Sequence, residues 1–312
     1  MNKYYISIFW ILGAMLLFSV QDVLTKIFSS YMSLFQIYFL RSIFGLFILS
    51  LFLKIIGHPI TFLKTAYPFL SIVRVTFWFL SYGAFYVSLS LMPIANAVTL
   101  FFVSPIFINL FSMYFYGDKI RISKWLAIVI GFVGVYFVSN ANFDNSSVFI
   151  FLPVLSAAIY ALCILITKHT SGRDSVYQQM THFYIGAFIF GGFMSLLLWN
   201  GQFEISGNIG LSFLTRPWGI INFIDLLYLF LLAFITTASF LMLLMAYRTS
   251  TPSKIAPFEY TNIIWAIFMG YLIWGDKLSF QNVFGIILIT SCGIYLLINE
   301  ADQNFKEKKV EH

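Results

Sequence analysis

Ten apolar runs decide what this chain can fold into. They cover approximately residues 4–27, 34–53, 67–91, 93–115, 123–139, 148–167, 177–199, 224–247, 252–274 and 281–298. A helix needs about 20 apolar residues to cross the hydrocarbon core of a bilayer, and these runs are close to that length. None alternates polar and apolar every second residue, as the strands of an outer-membrane barrel must. Composition agrees, with 60% of the 312 residues apolar and 10% charged, against roughly half and a quarter in soluble domains. The expectation is an all-α integral membrane protein with ten transmembrane helices. The first run follows Lys3 as a signal peptide would, but it has no Ala-x-Ala-type cleavage site and runs on too long, so it reads as a retained helix. Cys163 and Cys292 both lie inside runs, where they suggest small core residues rather than a disulfide or a metal site.

Basic residues set the orientation. With the N-terminus inside, the inner segments hold twelve of the eighteen: Lys3, Lys54, Lys64, Lys119, Arg121, Lys124, Lys168, Arg173, Arg248, Lys306, Lys308 and Lys309. The outer loops hold three, Lys26, Arg216 and Lys277, and three more, Arg41, Arg74 and Lys254, fall within runs. That bias predicts cytoplasmic termini and a multi-pass protein of the cell inner (cytoplasmic) membrane. A basic face against anionic lipid accounts for the formal charge of +6 without a nucleic-acid partner.

The chain also resembles itself. SLFQ at 33–36 recurs as SVYQ at 175–178, GDK at 117–119 as GDK at 275–277, and GVYFV at 134–138 as GIYLL at 293–297. The offset grows from 142 to 158 residues across the longer loop 200–223. Two five-helix halves follow, residues 1–145 and 146–299, with a cytoplasmic tail at 300–312. Five is odd, so the second half must be inverted relative to the first, and inverted repeats serve alternating access.

Three segments carry a family resemblance. FSVQDVLTKIFSSYMSLFQIYFLRS (18–42), LMPIANAVTLFFVSPIFINLFSMYFYGDKIRISKWLAIVIGFVGVYFV (91–138) and AYRTSTPSKIAPFEYTNIIWAIFMGYLIWGDKLSFQNVFGIILITSCGIYLLI (246–298) resemble EamA-type members of the drug/metabolite transporter superfamily. That resemblance implies two EamA repeats, a central cavity lined by the first, third, fourth, sixth, eighth and ninth runs, and a monomer. The stretch APFEYTNIIWA is most similar to a subgroup associated with S-adenosylmethionine or riboflavin uptake.

Charges at membrane depth cost about 3 kcal/mol each on insertion scales and are functional by default. Asp22 and Arg41 fall near the outer side; Arg74, Lys254 and Glu259 near the inner. These four, Asp22, Arg41, Arg74 and Lys254, are candidates for gating or ion pairing. Asp22 is the natural partner of Arg41, and either a packing pair or an outer gate would result. Long basic side chains near helix ends usually snorkel to the headgroups, the expected behaviour of Arg74 and Lys254.

Glu259 opens a polar stripe in an apolar run. Pro257 removes a backbone donor and frees carbonyls to face a cavity; Asn262 lies one turn on, with Trp265 near the same face and Tyr260 beside it. A carboxylate, an amide and an indole suit an amine-bearing solute. The opposing reading is a structural carboxylate satisfied by a neighbour. A buried carboxylate can also exchange a proton for substrate, so proton coupling is the energy source Glu259 would allow. Trp78 and Tyr82, in a stripe with Arg74, Phe77, Ser81 and Phe85, could stack a flat ring, although packing explains them equally well. Tyr160 and Asn96 sit on similar mixed faces of their own runs. His182 reads as a hydrogen-bonded packing residue.

The runner-up is a membrane-embedded enzyme acting on a lipid headgroup or a small metabolite. It would need clustered His, Asp or Cys, whereas the four histidines are scattered and no HExxH, GxSxG or P-loop occurs. A channel would need repeated pore-lining charges, and the charges here do not repeat between halves. The sequence therefore favours a secondary transporter of a small polar metabolite, such as S-adenosylmethionine, an amino acid or a similar zwitterion. It calls for no catalytic residue, metal or cofactor.

Overall fold

The computed structural model describes residues 3–59, 64–116, 122–140, 151–170, 172–205, 207–249 and 256–310. Among these the structure is all-helical, with twelve α-helices. In chain order they are α1 Lys3–Phe28, α2 Leu34–Ile55, α3 Pro68–Leu91, α4 Ile94–Phe101, α5 Ser104–Tyr116, α6 Ile122–Asn140, α7 Leu152–Thr170, α8 Val176–Leu198, α9 Ile209–Thr215, α10 Phe223–Thr249, α11 Thr261–Trp274 and α12 Phe280–Val310. A 3-10 turn, Ala256–Tyr260, leads into α11. Five stretches, Tyr5–Phe28, Leu34–Ile55, Pro68–Leu91, Val176–Leu198 and Phe223–Ala246, are long and apolar enough to cross a membrane, and shorter apolar helices accompany them.

The elements differ from the ten runs in four places. Run 93–115 is two helices, α4 and α5, separated by a turn at Phe102 and Val103. Pro105 explains the break: it has no donor for the ladder, and its ring would meet the carbonyl of Phe101 four residues back. Run 252–274 begins its described part in the 3-10 turn that contains Pro257. Loop 200–223 carries α9, capped by Asn208. The last helix continues through residues 300–310, where the sequence reading ended the repeat and began a tail.

Hydrogen bonding explains why S-x-x-Q recurs. Ser33 caps α2 by accepting from the Gln36 amide, and Ser175 caps α8 in a full capping box with Gln178. Each cap satisfies a donor that the first helical turn leaves free. The glutamines then diverge. Gln178 bonds back to Ser175, whereas Gln36 reaches the other half, donating to the Gly219 carbonyl at 3.0 Å and accepting from the Gly219 amide at 3.2 Å. Arg216 joins that tie through the carbonyls of Ser29 and Met32. A second tie links the loop before α3 to the loop before α8, where Asp174 accepts from Thr65 Oγ1 at 2.6 Å and from the Ala66 amide at 2.9 Å. Gly275 ends α11 at φ 68°, the left-handed cap expected of a GDK turn; the first GDK lies outside the described residues.

The broadest helix contacts are α1 with α10, α6 with α12, α2 with α8 and α3 with α7. Counting α4 with α5 as one element, each pairing maps onto itself or onto another when the halves are exchanged. That is the pattern of two similar units about a shared axis. The α6–α12 contact is made by glycines. A Cβ on Gly285 would lie 2.7 Å from the Gly134 carbonyl oxygen and 2.9 Å from the Val138 amide nitrogen, both backbone atoms that cannot swing aside. Gly285→Ala is accordingly expected to destabilise by about 2 kcal/mol, in the range of overpacked cores. A thermal melt in detergent checks this; an unchanged melting temperature would mean the helices are not in contact there.

Candidate functional site

Two chambers lie between the helices. The larger, of about 270 Å³, is lined by α3, α7, α8 and α10 and includes Arg74, Trp78, Thr167, Gln179, Phe183 and Phe240. The smaller, of about 110 Å³, includes Gln21, Asp22, Tyr82, Phe102, Glu259 and Asn262. Trp78, Tyr160, Phe240 and Leu243 line both, so the chambers adjoin through an aromatic neck. Trp78 stacks on Tyr82 at 5.0 Å with 10° between planes, and Tyr160 meets Trp78 edge-on at 5.4 Å. Reciprocal bonds between Ser81 and Ser156 (2.9 and 2.7 Å to the backbone carbonyls) hold α3 against α7 beside the neck.

The small chamber brings together residues the sequence set at different depths. Asp22, 4% exposed, comes from α1, and Glu259 from the 3-10 turn. Asn262 follows from α11, and its Oδ1 is buried without a hydrogen-bond partner among the described residues. The two breaks in the helices supply the floor. Tyr260 packs its ring on Phe102 at 5.0 Å, its hydroxyl 3.4 Å from the Phe102 carbonyl. These residues are 158 apart, the same offset as the two GDK triplets. Repeat-equivalent positions can touch only at the axis relating the halves, so the breaks meet at the centre.

Other candidates lie elsewhere. Trp265 packs against the buried cluster of Ile11, Ala14, Met15 and Ala246 and lines neither chamber. Asn96 is 1% exposed in α4, and neither of its side-chain polar atoms finds a partner among the described residues. Lys254 lies outside the described residues. Arg41 and Asp22 do not form an ion pair. Arg41 is 2% exposed and donates to Tyr86 Oη at 2.8 Å, its guanidinium over the rings of Tyr38 and Tyr86. Tyr86 also accepts from Gln21 at 3.1 Å, and Gln21 accepts from Thr236 at 2.7 Å, a chain that ties α2, α3, α1 and α10. Arg74 does not snorkel. It is 1% exposed, donating to Thr170 Oγ1 at 2.9 Å and lying 3.4 Å from His182 Nδ1. Lys26 donates to the Met92 carbonyl and sits over Trp274.

The sequence reading missed Gln21, Phe102, Phe240 and Leu243 as lining residues. For Phe102 a signal existed, the 158-residue offset to Tyr260. For Gln21 the signal was its polar side chain beside Asp22 inside an apolar run. For Phe240 and Leu243 there was none, because apolar residues on a buried face look like those facing lipid.

An all-helical chain of two similar halves, with broken segments meeting beside a buried polar chamber, has the build of a membrane carrier for small solutes. The chain belongs to the EamA-like transporter family, whose pattern matches residues 5–140 and 146–299. It is 21% identical over 300 residues to the S-adenosylmethionine uptake transporter of Rickettsia bellii, covering 96% of each chain. It is 27% identical over 250 residues to the riboflavin transporter of Rhizobium johnstonii, covering 80% of this chain and 76% of the relative. A pseudopaline exporter of Pseudomonas aeruginosa is 25% identical over 88% of this chain and 90% of its own. A solved crystal structure superposes with a TM-score of 0.63 over 95% of this chain and 98% of that one at 15% identity, a likeness of fold alone.

Proposed function

We propose that the chain is a secondary transporter that moves a small polar, amine-bearing metabolite across the cell inner membrane by alternating access. S-adenosylmethionine, an amino acid or a similar zwitterion fits this description. The observation that carries the reading is the small chamber, where Asp22, Glu259 and Asn262 converge beside the meeting point of the two helix breaks. Discontinuous helices around a buried polar site are how carriers of this build hold solutes. In this reading the chain crosses ten times with both termini cytoplasmic, α4 with α5 forming one crossing and the 256–260 turn with α11 another. The halves, 1–145 and 146–299, are inverted repeats that rock about the axis at Phe102 and Tyr260. Glu259 binds the amine or a coupling proton, and the carrier works as a monomer. Relatives bear the names of uptake transporters and of an exporter, so gradients decide direction.

The test is a thermal-shift panel on purified protein with amino acids, S-adenosylmethionine, riboflavin, nucleosides and choline-like amines, followed by counterflow in proteoliposomes. A ligand at 100 times its Kd stabilises by about 2.7 kcal/mol. An amine-bearing compound is expected both to raise the melting temperature and to accumulate by counterflow. No accumulation of any stabilising compound would overturn the transporter reading.

A further inference from the structure

Arg74 is a buried charge with no ion-pair partner among the described residues. Removing an ion from water costs several kcal/mol, normally offset by an opposite charge, and a guanidinium presents five N–H donors. Here two neutral groups, Thr170 Oγ1 and His182 Nδ1, are its side-chain partners, and among the described residues no carboxylate lies within 4.0 Å of it. Asp174, whose charge Arg74 feels, is engaged by Thr65 and Ala66. Arg74 lines the large chamber and is the one charged group among the described residues that do so. Thr167 lines the same chamber with a buried hydroxyl that has no partner among the described residues, and Gln179 adds an amide.

Resting on the transporter reading, we propose that Arg74 anchors a carboxylate of the transported molecule in the large chamber. The Thr167 hydroxyl and the Gln179 amide supply further donors, and the aromatic neck takes the molecule's flat or apolar body. The adjoining small chamber holds the acidic side chains Asp22 and Glu259, on the side toward which a cationic group of the molecule is drawn. One chamber is thus basic and its neighbour acidic, which suits a solute that carries both a carboxylate and a cationic group. A single guanidinium matches a singly charged carboxylate; a phosphate monoester would bring up to two negative charges into a chamber with one positive one.

The test compares compounds that differ only in the acid group: S-adenosylmethionine with its decarboxylated form, tryptophan with tryptamine, and riboflavin 5′-phosphate with riboflavin. Binding is measured by thermal shift and uptake by counterflow, in full-length wild type, Arg74→Gln and Arg74→Lys. In wild type at least one carboxylate-bearing compound is expected to bind about tenfold or more tightly than its decarboxylated partner. That ratio is expected to fall below about threefold in Arg74→Gln and to be partly retained in Arg74→Lys. Equal binding within both amine pairs, a ratio that survives in Arg74→Gln, or preference for the phosphate alone would overturn the anchor while leaving the transporter reading intact. Failure of every compound to bind or accumulate would overturn both. If Arg74→Gln does not fold, the wild-type ratios and Arg74→Lys decide.

Discussion

Glu259→Gln is expected to cut counterflow of the transported amine by a hundredfold or more while moving the unliganded melting temperature by only a few degrees. The substitution keeps the size and hydrogen-bonding capacity of the side chain and removes its charge. In the small chamber, walled by Phe102, Phe85 and Tyr82, an ammonium that loses a charge-assisted bond forfeits about 2–5 kcal/mol, and each 1.4 kcal/mol is a factor of ten. Asp22 shares the chamber, so Asp22→Asn is the control. If the amine rests mainly on Glu259, Asp22→Asn weakens uptake less than Glu259→Gln does. Glu259→Gln protein that retains full uptake and ligand stabilisation would sink the assignment and make Glu259 a structural carboxylate.

Much of the fold was legible because membrane burial imposes few rules. Apolar length located the long helices α1, α2, α3, α8 and α10, and the S-x-x-Q and GDK repeats located the halves. Interruptions were harder to place. Pro105 sits in as apolar a context as the rest of run 93–115, and hydropathy does not register a missing backbone donor. The missing donor of a proline accounts for the break at Pro105 as it does for the turn at Pro257.

The site was legible in its residue types and less so in its geometry. Glu259 and Asn262 do share a chamber, and Trp78, Tyr82 and Tyr160 do gather at one neck. Depth along a helix, however, is a poor guide to distance across a bundle. Asp22 and Glu259 were assigned to opposite layers, yet the 3-10 turn and the contact of α1 with α11 bring both to one chamber. Arg41 and Asp22 were matched by charge alone, while the guanidinium is satisfied by a phenol and two aromatic faces. A tyrosine partner leaves no signature in charge patterning. Snorkelling was expected of Arg74 from its place near a helix end, but Thr170 and His182 on α7 and α8 hold it inside.

Gly293→Ala carries the second large effect, because it acts on the axis itself. A Cβ at Gly293 on α12 would fall on the hydroxyl and ring of Tyr260. Tyr260 is 4% exposed and held on Phe102, so it has little free space to enter, and its backbone adjoins Glu259. Displacing the ring therefore shifts the carboxylate as well as the packing, and misplacement by about 1 Å can cost a hundredfold in a preorganised site. Uptake is expected to fall at least that much, with a drop of several degrees in melting temperature. Shortening the obstructing side chain supplies the discriminating measurement. In the double variant Gly293→Ala with Tyr260→Leu, uptake and stability should exceed those of Gly293→Ala alone, a non-additivity that only contacting residues produce. Strictly additive losses would show that the alanine acts elsewhere. Gly285→Ala should admit no such rescue by Tyr260→Leu, since there the clash is with the backbone of α6.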